Sequence, residues 1–97
     1  LPSTPSAWRD VTLVLGAGIT AARVEAVMRT TAGRLLETVG LISEFRSDQL
    51  GADHRAVQFR LVFRAADRTV RDEEVDAAVA RVLKALEQQL DAKLRTS

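Results

Sequence analysis

Two periods of apolar residues alternate along the chain, one of two residues and one of three to four. The clearest two-residue run is Arg55–Arg64 (RAVQFRLVFR), where Val57, Phe59, Leu61 and Phe63 fall on one side and Gln58, Arg60 and Arg64 on the other. It predicts a strand with an apolar inner face and a basic outer one, Val62 being its one apolar outward residue. Earlier, Val11, Leu13 and Leu15 alternate with Thr12 and Val14 and predict a first strand over Val11–Leu15. Gly16-Ala17-Gly18 reads as a turn and Thr20 as an N-cap, because a threonine hydroxyl can accept from a free amide of the first helical turn. From Ala21 to Ala32 the period becomes helical, with Val24, Val27, Met28 and Thr31 as the inner stripe. Gly33 suits the left-handed residue that ends such a helix.

A second strand is expected over Leu35–Arg46, interrupted at Gly40. Unbroken alternation puts Val39, Leu41, Ser43 and Phe45 on one face and Ile42, Glu44 and Arg46 on the other. Ser47–His54 lacks periodicity and reads as a loop. After the third strand, Ala65-Ala66-Asp67 makes a short connection. Asp72, Glu73 and Glu74 then open a second helix, where acidic groups suit the positive end of the helix dipole. That helix runs over Asp72–Gln89, with Val75, Val79, Val82, Leu86 and Leu90 at steps of three and four and Ala78 and Leu83 widening the stripe. Lys93–Thr96 reads as a last short strand. The order β-α-β-β-α-β predicts a ferredoxin-like α+β fold, a four-stranded antiparallel sheet with two helices on one face and the other face open.

Composition narrows the function. At 97 residues this is one domain with room for one modest core. The formal charge of +1 gives no global field toward nucleic acid, so any such binding must come from local clusters. The absence of cysteine excludes disulfides, thiolate metal sites and thiol nucleophiles, and fits a reducing compartment. No apolar run approaches the ~20 residues of a membrane span, and the polar, Pro-rich start is no signal peptide. Residues 1–7 hold both prolines and read as a linker into a domain over 8–97, the start expected of a piece of a longer protein. Gly16–Ala21 matches G-x-G-x-x-A between a strand and a helix, but the meander that follows contains no second βαβ half, so the glycines read as a tight turn. His54 is the one histidine, without a second ligand for a metal or a Ser partner. No catalytic constellation and no cofactor site emerge.

The basic residues are the candidates that remain. Arg60 and Arg64 project from one strand face, Arg46 beside them from the neighbouring strand. Arg55 and Arg68 bracket the third strand, and Arg9 precedes the first. Together they would make a phosphate-contacting surface on an open sheet. The other reading is a solvated face with cross-strand pairs such as Arg60 with Glu44. No aromatic residue is expected on the open face, since Phe59 and Phe63 point inward. Trp8, the sole tryptophan, reads as an edge-packing residue or a base-stacking one.

Phe63–Val75, FRAADRTVRDEEV, resembles the FRAPDRTLTDEEV-type signature near the end of the bacterial phenylalanyl-tRNA synthetase β subunit. That segment of the family is a ferredoxin-fold anticodon-binding domain. Trp8-Arg9-Asp10 before an apolar strand and Lys93-Leu94-Arg95 near the end agree with it. The chain departs from the family's pattern at Ile42–Ser47, at Arg55-Ala56 and at Arg71. The resemblance implies a non-catalytic, cytoplasmic module that binds the anticodon stem-loop of the tRNA for phenylalanine. Its partners would be the rest of the β subunit and the α subunit, which carries out aminoacylation. It maps RNA-contacting or turn-forming roles onto Arg9, Arg55 and Arg68. A ferredoxin-like protein-interaction module without RNA contact is the alternative, motivated by Ser43, Glu44, Ser47 and Ala56.

Overall fold

The computed structural model describes residues 4–95. Its elements are β1 (Ala7–Leu15), α1 (Ala21–Thr31), β2 (Leu36–Phe45), β3 (Arg55–Phe63), α2 (Asp72–Leu90) and β4 (Lys93–Leu94), with a 3-10 turn at Asp48–Leu50 between β2 and β3. The strands form one antiparallel sheet in the order β2-β3-β1-β4, the expected ferredoxin-like arrangement.

β3 is central. It pairs with β1 without a break, from Ala7 opposite Phe63 to Leu15 opposite Arg55. Its inward residues Val57, Phe59, Leu61 and Phe63 are fully buried, as are Leu13 and Leu15 of β1. α1 adds Val24, Val27 and Met28 to this core, and α2 adds Val75, Ala78, Val82, Leu86 and Leu90. Both helices thus spend their apolar stripes on one sheet face. Each fully buried side chain of this size contributes about 1.5–3 kcal/mol.

Local chemistry sets the helix ends. Thr20 caps α1 by accepting from the amide of Arg23 at 3.1 Å. Gly33, with φ +91°, turns the chain out of α1 in a conformation that side-chain-bearing residues rarely adopt. Arg81 of α2 donates to the carbonyls of Ala32 (2.9 Å) and Thr31 (3.3 Å), satisfying the end of α1 and joining the two helices.

The boundaries of α1, β2 and α2 fall within a residue of expectation at each end, and larger differences lie toward the two ends of the chain. β1 starts at Ala7, four residues before Val11, because β3 is long enough to pair with that segment. Within the expected linker, the hydroxyl of Thr4 donates to the carbonyl of Ala65 (2.6 Å), and its own carbonyl accepts from Arg64 (2.7 Å). Leu1–Ser3 of that linker, and Thr96 of the expected last strand, lie outside the described residues. β4 pairs only Lys93 with Val14 and Leu94 with Leu13, and the amide of Arg95 adds one bond to the Thr12 carbonyl at 2.7 Å.

Replacing Leu61 by Ala is expected to cost about 2–5 kcal/mol, the usual range for a buried leucine. Thr38, exposed opposite Val62 on the other face, should cost about 0.5 kcal/mol. Urea unfolding of the two variants measures the difference, and equal costs would place the wrong face of the sheet inward.

Candidate functional site

The uncovered sheet face is built in four rows by the strand register. Thr38, Val62 and Trp8 form the first, and Gly40, Arg60 and Asp10 the second. Ser43, Gln58 and Thr12 form the third; Phe45, Ala56, Val14 and Lys93 the fourth.

Phe45 was expected inside, with Val39 and Leu41. It lies outside. The pairing of β2 with β3 shifts between Leu36 and Thr38 and again between Leu41 and Ser43, leaving Glu37 and Ile42 as extra residues. Each bulge inserts one residue, so each reverses the alternation that follows. After the second bulge Ser43 and Phe45 take the open face, and Glu44, opposite Val57, takes the covered one. The ring of Phe45 remains 41% exposed, and the Arg95 guanidinium sits 5.0 Å from its centroid. Arg95 extends there from beside β1, across the row that holds the short Val14 and Ala56. Neither Phe45 nor Arg95 was expected at the site. The signal available in the sequence was Ile42, an apolar residue left without a buried place by either alternation.

A second aromatic residue occupies the far end of the face. Trp8 is 53% exposed, and the Arg60 guanidinium stacks over its ring at 4.2 Å. Arg60 is also held in a two-bond fork by Asp10, at 2.8 and 3.0 Å. The expected pairing of Arg60 with Glu44 does not form, because the register sets Arg60 opposite Asp10 and Glu44 one bulge away. The Arg60 fork holds the Asp10 carboxyl below its usual value, and a hydrogen bond from Gln58 (3.2 Å) acts in the same direction. Gln58 in turn accepts from the hydroxyl of Ser43 at 3.2 Å, so a polar chain crosses the face from β2 to β1.

The other candidate arginines are dispersed. Arg9 is on the covered side, opposite Leu61, and reaches Asp76 (3.4 Å) and Asp72 (3.6 Å) at the start of α2. Arg55 is also on the covered side and 13% exposed; it bonds Glu44 (2.8 Å) and the carbonyls of Ile19 (2.6 Å) and Gly16 (3.4 Å). Arg64 flanks the open face and meets Glu37 at 3.0 Å. Arg68 forks onto Glu74 at 2.7 and 2.8 Å, tying the β3–α2 connection to the helix. Glu74 also accepts from the amide of Arg71 at 2.9 Å, half of a capping box. Among the described residues, Arg46 alone of the six makes no ion pair; it is exposed and follows Phe45 directly.

Beside the Phe45 row a cleft of about 240 Å³ is lined by Val14, Leu50, His54, Asp91 and Lys93. The His54 Nδ1 lies 2.8 Å from the Ala52 carbonyl, so it carries the proton and fixes the ring against the loop. No cluster of three His, Cys, Asp or Glu able to hold a metal occurs among the described residues. No helix among them is long and apolar enough to cross a membrane.

An antiparallel sheet of order β2-β3-β1-β4 with two helices on one face defines a domain of the ferredoxin-like class. The chain belongs to the ferredoxin-fold anticodon binding domain family, whose family model matches residues 2–95. It is 40% identical over 96 residues to the phenylalanine–tRNA ligase beta subunit of Symbiobacterium thermophilum, covering 99% of this chain and 11% of that protein. It is 39% identical over 95 residues to the one from Corynebacterium glutamicum, covering 98% and 11%. With the Streptomyces avermitilis beta subunit the identity is 46% over 80 residues, covering 78% and 10%. The chain therefore spans about a tenth of the length of these relatives.

Acid tests the α2 cap. Two bonds from Arg68 and one from the Arg71 amide lower the Glu74 carboxyl from 4.5 to about 2. A depressed folded value means that this stabilisation is complete above 4.5 and is lost as pH falls from 4.5 through about 2. Glu74→Gln is expected to lower the urea midpoint at neutral pH and to flatten its decline across that acid window. A decline as steep as that of the parent chain would show that the Arg68–Glu74 fork is not what acid breaks.

Proposed function

We propose that the open face receives the anticodon stem-loop of a tRNA, and that this tRNA is the one for phenylalanine. The domain acts within a phenylalanine–tRNA ligase beta subunit in the cytoplasm. Its protein partners are the rest of that subunit and the alpha subunit, and the ligase chemistry is done elsewhere in the enzyme. The observation that carries this reading is Phe45, exposed on the open face beneath Arg95. An aromatic face offers a stacking surface to any unpaired base, and a guanidinium on the same ring contributes stacking or a phosphate contact. Ala56 in the same row is fully buried, so the surface this row offers a base is the Phe45 ring.

Charge refines which arginines act. Arg9, Arg55 and Arg68 are committed to carboxylates that hold the fold together, and we assign them structural work. Arg60 and Arg64 border the RNA surface with their charge already met by Asp10 and Glu37. Arg46 and Arg95 keep the freedom to displace counterions. Phosphate contacts of this kind set orientation, while base contacts near Phe45 set sequence.

A second reading is favoured by Leu41 and Ile42, which are 47% and 46% exposed on the outer strand of the sheet. Apolar groups there suit a protein neighbour, so the two readings assign different surfaces of one domain.

Fluorescence anisotropy with a labelled anticodon stem-loop tests the RNA reading. With about two to four contacts to a mostly single-stranded loop, log K against log salt should slope by about −1.5 to −3. Arg46→Ala with Arg95→Ala should flatten the slope by about 1.4, and Arg60→Ala should leave it unchanged. Phe45→Ala should cost about 1–3 kcal/mol, roughly five- to 150-fold. No binding by the parent chain at low salt would leave the protein-contact reading standing.

A further inference from the structure

We propose that Arg55 is a positioning residue for the RNA surface: it selects the strand register that turns Phe45 outward. The proposal rests on the reading of the open face as that surface. β2 has two registers available beyond Leu41. In the observed one Ile42 is the extra residue, Glu44 faces Val57 and Phe45 faces Ala56. In the unbulged one, Ser43 would face Val57, Glu44 would face Ala56 and Phe45 would face Arg55. The second follows the unbroken alternation of β2 and would bring Phe45 to the side of Val39 and Leu41.

The charge of Arg55 opposes that slip. Its side chain is 13% exposed, under the β1–α1 turn, with two of its donors on the carbonyls of Ile19 and Gly16. The remaining bond, from Nε at 2.8 Å, goes to Glu44. A poorly solvated guanidinium without its carboxylate is costly, and the slipped register would take Glu44 to the opposite face and put a phenyl ring beside the guanidinium. The ion pair therefore holds Glu44 on the covered side. Since neighbouring residues alternate, Phe45 must then be on the open side. Arg55 acts on RNA through Glu44 and the bulge, without touching it.

A set of three variants tests this by NMR and by anisotropy with the anticodon stem-loop. In the parent chain, cross-strand nuclear Overhauser contacts should link Glu44 to Val57 and the Phe45 ring to Arg95. In Arg55→Met those contacts should move to Ser43–Val57 and Phe45–position 55, and RNA affinity should fall by as much as in Phe45→Ala, roughly five- to 150-fold. Deleting Ile42 removes the extra residue, so that regular pairing itself puts Phe45 opposite Ala56. Combining the deletion with Arg55→Met should restore both the Phe45–Arg95 contact and binding to within about twofold of the deletion alone, whether or not Arg55→Met folds by itself. Two results would overturn the proposal: parental contacts retained in Arg55→Met, or a double variant with Phe45 outward that still fails to bind. Silence of the parent chain toward RNA would defeat the functional reading alone, because the contacts report the register without RNA.

Discussion

The structure depends on the two faces of β3. Val57, Phe59, Leu61 and Phe63 remove one face wholly from water, while Gln58, Arg60 and Val62 on the other must live with it. Because β3 is paired on both sides, that division extends to β1 and β2. Both helices then have a single apolar surface to cover, and their stripes match it. An open face is thus a consequence of where the apolar residues of one central strand lie. Any binding role of the domain is imposed on a surface that folding has left free.

Charge on that surface is mostly spent internally. Asp10 forks Arg60 and Glu37 meets Arg64. Partly exposed pairs of this kind add little stability each, but they fix the long side chains and cancel the field they would project. The result is a face with little net pull on nucleic acid and two aromatic rings, each beneath a guanidinium. On the proposed reading, affinity comes from stacking at the Phe45 row, with Arg46 and Arg95 as its local positive charge.

The alternation of β1 and β3, the stripes of both helices, the Thr20 cap and the left-handed Gly33 are legible in the sequence because each depends on near neighbours. The element order follows from them, and with it the ferredoxin-like frame that the family match shows. The faces of β2 beyond Leu41 are not legible there, because a bulge is decided by the partner strand. Alternation counted along β2 alone puts Phe45 inside, whereas the need of Arg55 for Glu44 lies in β3 and the β1–α1 turn. The same limit hid the partner of Arg60: a cross-strand pair belongs to the register, and Asp10 is 50 residues away. Arg95 ends the Lys93-Leu94-Arg95 motif, but its reach across two strands to Phe45 has no local signature.

Amide chemical-shift mapping of the labelled chain, titrated with the anticodon stem-loop of the tRNA for phenylalanine, tests the central claim most directly. The account predicts shifts concentrated on Phe45, Arg46, Ala56, Val14, Lys93 and Arg95, with the outward residues of α1 and α2 unmoved. Shifts centred on the helices, or on the exposed Leu41–Ile42 edge with the Phe45 row silent, would contradict it.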